Sequence, residues 1–324
     1  MFDGKNRLLL LLIAFAALLA ACQGQAGPTV DVAARLAEER AALPEVTAVE
    51  KWQRVALLPL PQISAPSLVL LVDGNYRMFW NDPSLNGIGS GTSGDGLRFS
   101  PDDRARLINA PAGQPDCVTG YPWVIQVPGG YRMYYQGAAS PCTTQPISPT
   151  DPQATFRVFS AFSRDGLSFE REPGIRIDAG ESAPLASAGH GRVQQLDDGR
   201  YRMVFTARYR GETTPAILGA TSLDGLNWTL DPQPILRNAS SPTFIQFEST
   251  LYLYAVYQAD NVILLQSTDG MTFTPTHWVE FYDEQASRLI EARAPEIFEN
   301  LDGIVYLYAS TGGADRIAVF ILRE

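Results

Sequence analysis

The stretch Tyr201-Arg-Met-Val-Phe, with Ser222-Leu-Asp-Gly-Leu-Asn-Trp shortly after it, recurs along this chain, and the recurrence constrains the fold more than any other feature. Tyr76-Arg-Met-Phe-Trp is followed by Ser93-Gly-Asp-Gly-Leu-Arg-Phe, and Tyr131-Arg-Met-Tyr-Tyr by Ser163-Arg-Asp-Gly-Leu-Ser-Phe. Leu251-Tyr-Leu-Tyr with Ser267-Thr-Asp-Gly-Met-Thr-Phe is a looser copy, and Val305-Tyr-Leu-Tyr is a last one with no Asp-Gly turn behind it. Copies at an uneven spacing of roughly 45–70 residues are the mark of a repeat architecture. Their aromatic and β-branched runs, punctuated by Gly and Pro, favour an all-β chain.

Each copy divides into four short strands. An inner strand ends in a tight turn: 67–72, 123–127, 192–196, 243–247 and 296–298 are the five expected inner strands. The Tyr-Arg-Met strand comes second, a third runs into Ser-x-Asp-Gly, and a fourth follows. Glycine in these connections supplies the positive φ that hairpin turns require. Four-stranded antiparallel units repeated radially are propeller blades, so the expectation is a five-bladed β-propeller over residues 51–324. The last copy has only three strands, and an orphan strand at 52–60 precedes the first inner strand. A ring leaves no open edge if that orphan becomes the fourth strand of the last blade.

Within such a blade the connections alternate between two rims. The first-to-second and third-to-fourth turns are uniformly short, whereas the others, among them 81–87, 108–120, 136–155, 178–189, 208–214 and 281–293, are long and varied. Long loops on a rigid scaffold carry binding and catalysis, so the long-loop rim is the expected working face. The repeated Asp95, Asp165, Asp224 and Asp269 fall on the opposite rim and read as turn formers that bond their own backbone. The Arg of each Tyr-Arg-Met reads as an outward or inter-blade structural residue.

A net charge of −10 argues against nucleic acid, which wants a basic face. Lys5 and Arg7 before an apolar run at 8–21 form a secretory signal pattern. Leu19-Ala20-Ala21-Cys22 resembles a bacterial lipobox, which implies cleavage of residues 1–21 and lipidation of Cys22. Acyl chains hold a protein at a membrane because each buried methylene contributes roughly 0.8 kcal/mol. Residues 22–50 then form a lipidated tether with a short helix, and the protein is expected to be extracytoplasmic, anchored to the bacterial cell envelope, and monomeric. With Cys22 lipidated, Cys117 and Cys142 remain in an oxidising compartment. Both fall on the long-loop rim of one blade, where a disulfide would pin the insertion over the opening.

Residues 52–324 resemble the five-bladed propellers of glycoside hydrolase families 43 and 32, on blade count, strand-turn pattern and the heads of the inner strands. These heads read Ala65-Pro66, Tyr121-Pro122, Gly189-His190-Gly191, Ser241-Pro242 and Ala294-Pro295. The resemblance implies a sugar bound in the central cavity, with acids at the strand heads, one protonating the leaving oxygen and one activating water. Here the pattern departs from the family. Ala65 stands where an Asp normally precedes Pro, and the acid-bearing pattern survives only as Glu291-Ala-Arg-Ala-Pro295-Glu296. Trp80-Asn81-Asp82-Pro83 looks like a family 32 nucleophile motif but follows a second strand, so it reads as coincidence.

Glu291 and Asp116 are the candidate catalytic carboxylates. Tyr121, Trp123, His190, Arg192, Arg208, Tyr209, Arg293 and Glu296 are the candidate sugar-binding residues, since aromatic faces and Arg forks suit sugar rings and carboxylated sugars. By resemblance His190 lies on the axis, in some family 43 members beside a bound calcium; no other cofactor or metal motif is present. Two classes stay open: a carbohydrate-binding propeller with degraded catalytic positions, and a hydrolase with rewired carboxylates. A protein-interaction scaffold of the envelope is a third.

Overall fold

The computed structural model describes residues 32–60, 62–139, 142, 154–258, 261–285, 287–289, 292–311 and 316–323. Two compact units divide after Ala42. The first contains helix α1 (Val32–Arg40), whose Ala-, Leu- and Glu-rich sequence has good helix propensity. No helix among the described residues is long and apolar enough to cross a membrane. The apolar run at 8–21 and Cys22 lie outside the described residues.

The second unit is all β. It opens on β1 (Ala48–Leu57). The first sheet holds β2 (Ser64–Leu70), β3 (Tyr76–Asp82), β4 (Gly87–Ser93) and β5 (Ser100–Pro101), with β6 (Leu107–Ile108) paired to the other end of β4. The second holds β7 (Val118–Val127), β8 (Gly130–Ala138), β9 (Phe156–Ser163) and β10 (Glu170–Arg171). The third holds β11 (Leu185–Gln195), β12 (Tyr201–Tyr209), β13 (Ala216–Ser222) and β14 (Thr229–Leu230), with β15 (Leu236–Arg237) also on β13. The fourth joins β1 to β16 (Ala239–Phe247), β17 (Thr250–Tyr257), β18 (Asn261–Ser267), β19 (Thr274–Tyr282), β20 (Arg288–Leu289), β21 (Ala292–Glu299), β22 (Val305–Thr311) and β23 (Arg316–Leu322).

The orphan strand docks on the last strand, as expected. Trp52 lies opposite Leu322 and Leu57 opposite Ala318, antiparallel. What sequence reading missed is the other edge: β1 begins at Ala48 and runs parallel to β19, with Ala48 opposite His277 and Gln53 opposite Tyr282. That second ladder merges β16–β19 and β21–β23 into one sheet of nine strands.

The apolar layers lie between successive groups of strands. Phe79 and Ile88 pack with Met133 and Tyr135, Tyr134 and Val158 with Met203 and Phe205, and Val204 and Ile217 with Leu253 and Trp278. Leu264 and Phe281 pack with Leu307, Phe320 and Trp52, and Met78 and Trp80 with Tyr306 and Tyr308. Each such side chain contributes about 1.5–3 kcal/mol on full burial, so these layers hold the strands in place. The first strands β2, β7, β11, β16 and β21 contact one another in succession, and β21 contacts β2, so they surround a common axis.

The repeated turns are built alike. In the turn after β13, Ser222 Oγ donates to Asp224 Oδ1, which also accepts the Leu226 and Asn227 N–H groups at 2.8 Å. The Asp95, Asp165 and Asp269 turns repeat this pattern. Backbone hydrogen bonds to the ionised carboxyl lower Asp269 to about 2 and hold Asp165 and Asp224 low as well, so these acids are turn formers. The arginines of Tyr-Arg-Met pair with a carboxylate three residues beyond the turn aromatic: Arg77 with Asp102, Arg132 with Glu172, and Arg202 with Asp231.

Candidate functional site

The heads of the inner strands are not strand starts. Pairing begins one to four residues earlier, and the register shifts at the same place on each strand: between Ser64 and Ser67, Gly120 and Trp123, Gly189 and Arg192, Ser240 and Thr243, and Arg293 and Glu296. These are β-bulges, where a proline without an N–H is tolerated. Ala65, Tyr121, His190 and Ser241 sit in the bulges at φ between 52° and 54°. A left-handed conformation costs about 1–2 kcal/mol for a residue with a Cβ. A side chain on the second strand of the neighbouring group offsets it by capturing the bulged N–H. Ser310 Oγ accepts Ala65 N at 3.0 Å, Asn81 Oδ1 accepts Tyr121 N at 2.6 Å, and Thr206 Oγ1 accepts Ser241 N at 2.9 Å. Sequence reading missed Asn81, Thr206 and Ser310, although each stands five residues after the first residue of a Tyr-Arg-Met-type strand.

The bulges ring the long-loop end of the axis. Tyr121, half-buried, lies against His190 with ring centroids 4.7 Å apart. Beneath them Arg192, fully buried, donates to Pro122 O at 3.0 Å and to His190 Nε2 at 2.9 Å. Its guanidinium covers the Trp123 ring at 4.8 Å, and Trp123 Nε1 donates to Val193 O. Because a guanidinium only donates, His190 Nε2 is the acceptor and Nδ1 carries the proton. Burial, then the Arg192 charge, hold His190 neutral well below its usual range.

Glu296 completes this layer. Its Oε1 accepts Leu68 N–H at 3.1 Å, while Oε2 has no partner among the described residues. Burial pushes its carboxyl up to about 8, against the pull of the Arg192 charge. Burial likewise lowers Arg192 to about 10, with Glu296 opposing. Below Trp123 and Glu296, toward the short-turn rim, the inner strands line an open pocket of about 360 Å³, with Gln126, Gln194 and Gln246 in its wall.

The structure therefore brings together Tyr121, Trp123, His190, Arg192 and Glu296. Asp116 is buried in an ion pair with Arg171 at 2.6 Å and accepts the Tyr135 hydroxyl at 2.9 Å. Tyr209 lies under Arg237 at 5.7 Å, and Arg208 precedes it on β12. Asp82 caps the turn at Pro83–Leu85 and accepts Trp80 Nε1 at 3.1 Å, which is a local structural role. Glu291 lies outside the described residues, as does the side chain of Arg293. Cys117 and Cys142 form the expected disulfide. Calcium prefers a shell of oxygen ligands. His190 offers instead a nitrogen already engaged by a guanidinium, and no cluster of three metal-binding side chains occurs among the described residues. The residues described around His190 do not fit that ion.

No family model matches the chain. Uncharacterized proteins from two strains of Mycobacterium tuberculosis are each 36% identical over 111 residues, which is 33% of this chain and 32% of the relative. The matched region thus spans about a third of those curated relatives. Among solved structures, a family 117 glycoside hydrolase of the marine bacterium Zobellia galactanivorans aligns with a TM-score of 0.65 at 16% identity, covering 86% of this chain and 91% of that one. An endo-arabinase from Bacteroides thetaiotaomicron aligns at 0.62 with 10% identity over 84% and 97% of the two chains. An α-L-arabinofuranosidase from Lactobacillus brevis aligns at 0.61 with 12% identity over 82% and 92%. At these identities the likeness is one of fold: an all-β chain built like the propeller glycoside hydrolases.

Proposed function

We propose that this chain is a carbohydrate-binding five-bladed propeller that does not hydrolyse its ligand, held at the bacterial cell envelope as a monomeric, extracytoplasmic lipoprotein through Cys22. The blade count rests on dividing the nine-stranded sheet at the parallel β19–β1 ladder. That division gives five four-stranded groups, five apolar layers between them and five bulged inner strands around the axis. The ligand class rests on the likeness to propeller glycoside hydrolases and on the ring of side chains at the long-loop end of the axis. Tyr121 offers a half-buried aromatic face there, and a sugar ring stacks on such a face. The layer of His190, Arg192 and Glu296 forms a polar floor beneath it.

One observation favours binding over hydrolysis. The five bulge positions carry Ala65, Tyr121, His190, Ser241 and Ala294, none of them a carboxylate. Of the candidate acids among the described residues, Asp116 is buried against Arg171 and Glu296 against the Leu68 N–H. Hydrolysis needs two carboxyl groups facing each other across the ligand, at about 5–10 Å.

The test is a glycan array on the full chain carrying Cys22→Ser, with arabinans included because two of the structural neighbours are named for arabinose chemistry. Any hit is then incubated with the protein and assayed for new reducing ends. We expect saturable binding that Tyr121→Ala weakens at least tenfold, with no reducing ends formed. Reducing ends that disappear in Glu291→Gln would overturn the reading in favour of a hydrolase.

A further inference from the structure

At three junctions between strand groups an Asp-Gly turn is wedged against the second strand of the group before it. The Asp224 turn sits on β8: Gly225 O accepts both the Tyr134 hydroxyl at 2.8 Å and Trp228 Nε1 at 3.2 Å, with the two rings edge-on at 6.0 Å. The Asp95 turn sits on β22, where Gly96 O accepts the Tyr308 hydroxyl at 2.9 Å. The Asp165 turn brings Phe169 edge-on to Phe79 at 5.7 Å. The strand beside β23 is β1, which comes from the other end of the sequence, so no Asp-Gly hairpin joins the two.

The junction on β17 therefore has to be closed differently. Tyr254 stands at the position of Tyr134 and Tyr308, and its hydroxyl donates to Glu50 Oε1 at 2.9 Å. Trp52, opposite Leu322, takes the place of Trp228: it lies edge-on to Tyr254 at 6.3 Å and its Nε1 donates to the same Glu50 oxygen. A carboxylate oxygen thus occupies the place of a glycine carbonyl, while the rest of the turn has no counterpart. What remains is a cleft of about 440 Å³ whose wall includes Trp52, Phe247, Tyr252, Tyr254, Glu50 and Glu248. No Lys, Arg or His lines it, and neither carboxylate forms an ion pair among the described residues. The guanidinium that the first three sheets carry on their second strand is replaced here by Tyr252.

We propose that this cleft binds a small organic cation, an alkylammonium or guanidinium group, against its aromatic wall with Glu50 as counter-charge. Ring faces and an unneutralised carboxylate together attract such a cation, and the volume suits a small ligand. The site is separate from the long-loop mouth and does not depend on the carbohydrate reading.

Choline and 3,3-dimethylbutan-1-ol share a shape and differ in charge, which makes them the probes, with butylguanidinium as a second cation. Titrations of the full chain would be followed by calorimetry and by the indole N–H resonance of Trp52. We expect the cations to bind saturably, shift that resonance, and bind at least tenfold more tightly than the neutral alcohol. Glu50→Gln keeps an acceptor for Trp52 and Tyr254 and removes only the charge, so it should reduce cation affinity at least tenfold without unfolding the protein. Glu248→Gln should have a smaller effect in the same direction. Equal affinity for the alcohol, binding unchanged in Glu50→Gln, or no saturable binding of either cation would each overturn the proposal.

Discussion

Replacing Glu296 with glutamine tests the electrostatics of the axis directly. Burial raises this carboxyl from 4.5 to about 8. The unfolded chain releases the proton near 4.5, whereas the folded protein keeps it until about 8, so stability falls as pH rises between the two. At about 1.4 kcal/mol per pH unit, that interval corresponds to about 5 kcal/mol in favour of the protonated fold. His190 acts with the opposite sign. It stays neutral in the fold well below 6.5, while the unfolded chain takes up a proton there, so its contribution rises with pH up to 6.5. The two oppose each other below 6.5, and from 6.5 to about 8 Glu296 is the one shifted group that titrates among the described residues. That window of about 1.5 pH units corresponds to about 2 kcal/mol. Urea unfolding at several pH values across it should show the native protein losing about 2 kcal/mol. Glu296→Gln should lose almost nothing, because its amide does not titrate yet still accepts the Leu68 N–H. A native protein with a flat profile, or a variant with the same slope, would refute the assignment of a protonated Glu296.

Two further predictions concern stability. Arg202 is fully buried and meets Asp231 through two hydrogen bonds at 2.9 and 2.5 Å, so Asp231→Ala leaves a buried charge unpaired and should cost about 3–5 kcal/mol in urea unfolding. Adding Arg202→Met should recover much of that, and a single-variant loss under about 1 kcal/mol would contradict a buried pair. The Cys117–Cys142 bridge closes a span of 25 residues, for which chain entropy gives about 3.5 kcal/mol. The double alanine variant should unfold at correspondingly lower urea, and unchanged stability would place the bridge's effect outside the unfolded chain.

The repeat carried most of the fold into view because its signals are local. Asp-Gly turns, Tyr-Arg-Met strands and the spare strand before the first repeat each imply a pairing, and the pairing of Trp52 with Leu322 follows from them. The structural reading of the Tyr-Arg-Met arginines agrees with their ion pairs to Asp102, Glu172 and Asp231. The bulges were less legible. A Pro inside a β run reads as a strand start, and only the captured N–H of Tyr121 or Ser241 reveals that the ladder continues through it. Of the candidate site residues, those on inner strands, Tyr121, Trp123, His190, Arg192 and Glu296, converge because register fixes them near the axis. Asp116 is a candidate on loop position alone, and loop position does not report that a carboxylate is held by Arg171 and Tyr135.

The bulge also explains how such a site varies on a constant frame. Where the bonding is seen, the backbone slot is held from outside, by Ser310, Asn81 or Thr206 on a neighbouring strand, and not by the residue that occupies it. Alanine, tyrosine, histidine and serine all stand in this left-handed conformation at nearly the same φ. A substitution in the slot therefore changes the chemistry presented at the mouth while leaving the hydrogen bond that defines the bulge in place. Closing the ring with the first strand works at the other rim with the opposite result. It removes a sheet edge, but it also removes the one turn that would have filled the β17 junction, and Glu50 with Trp52 replaces only part of it. Variation at the mouth is thus a matter of which side chain fills a slot, whereas the cleft beside β17 follows from the topology of closure.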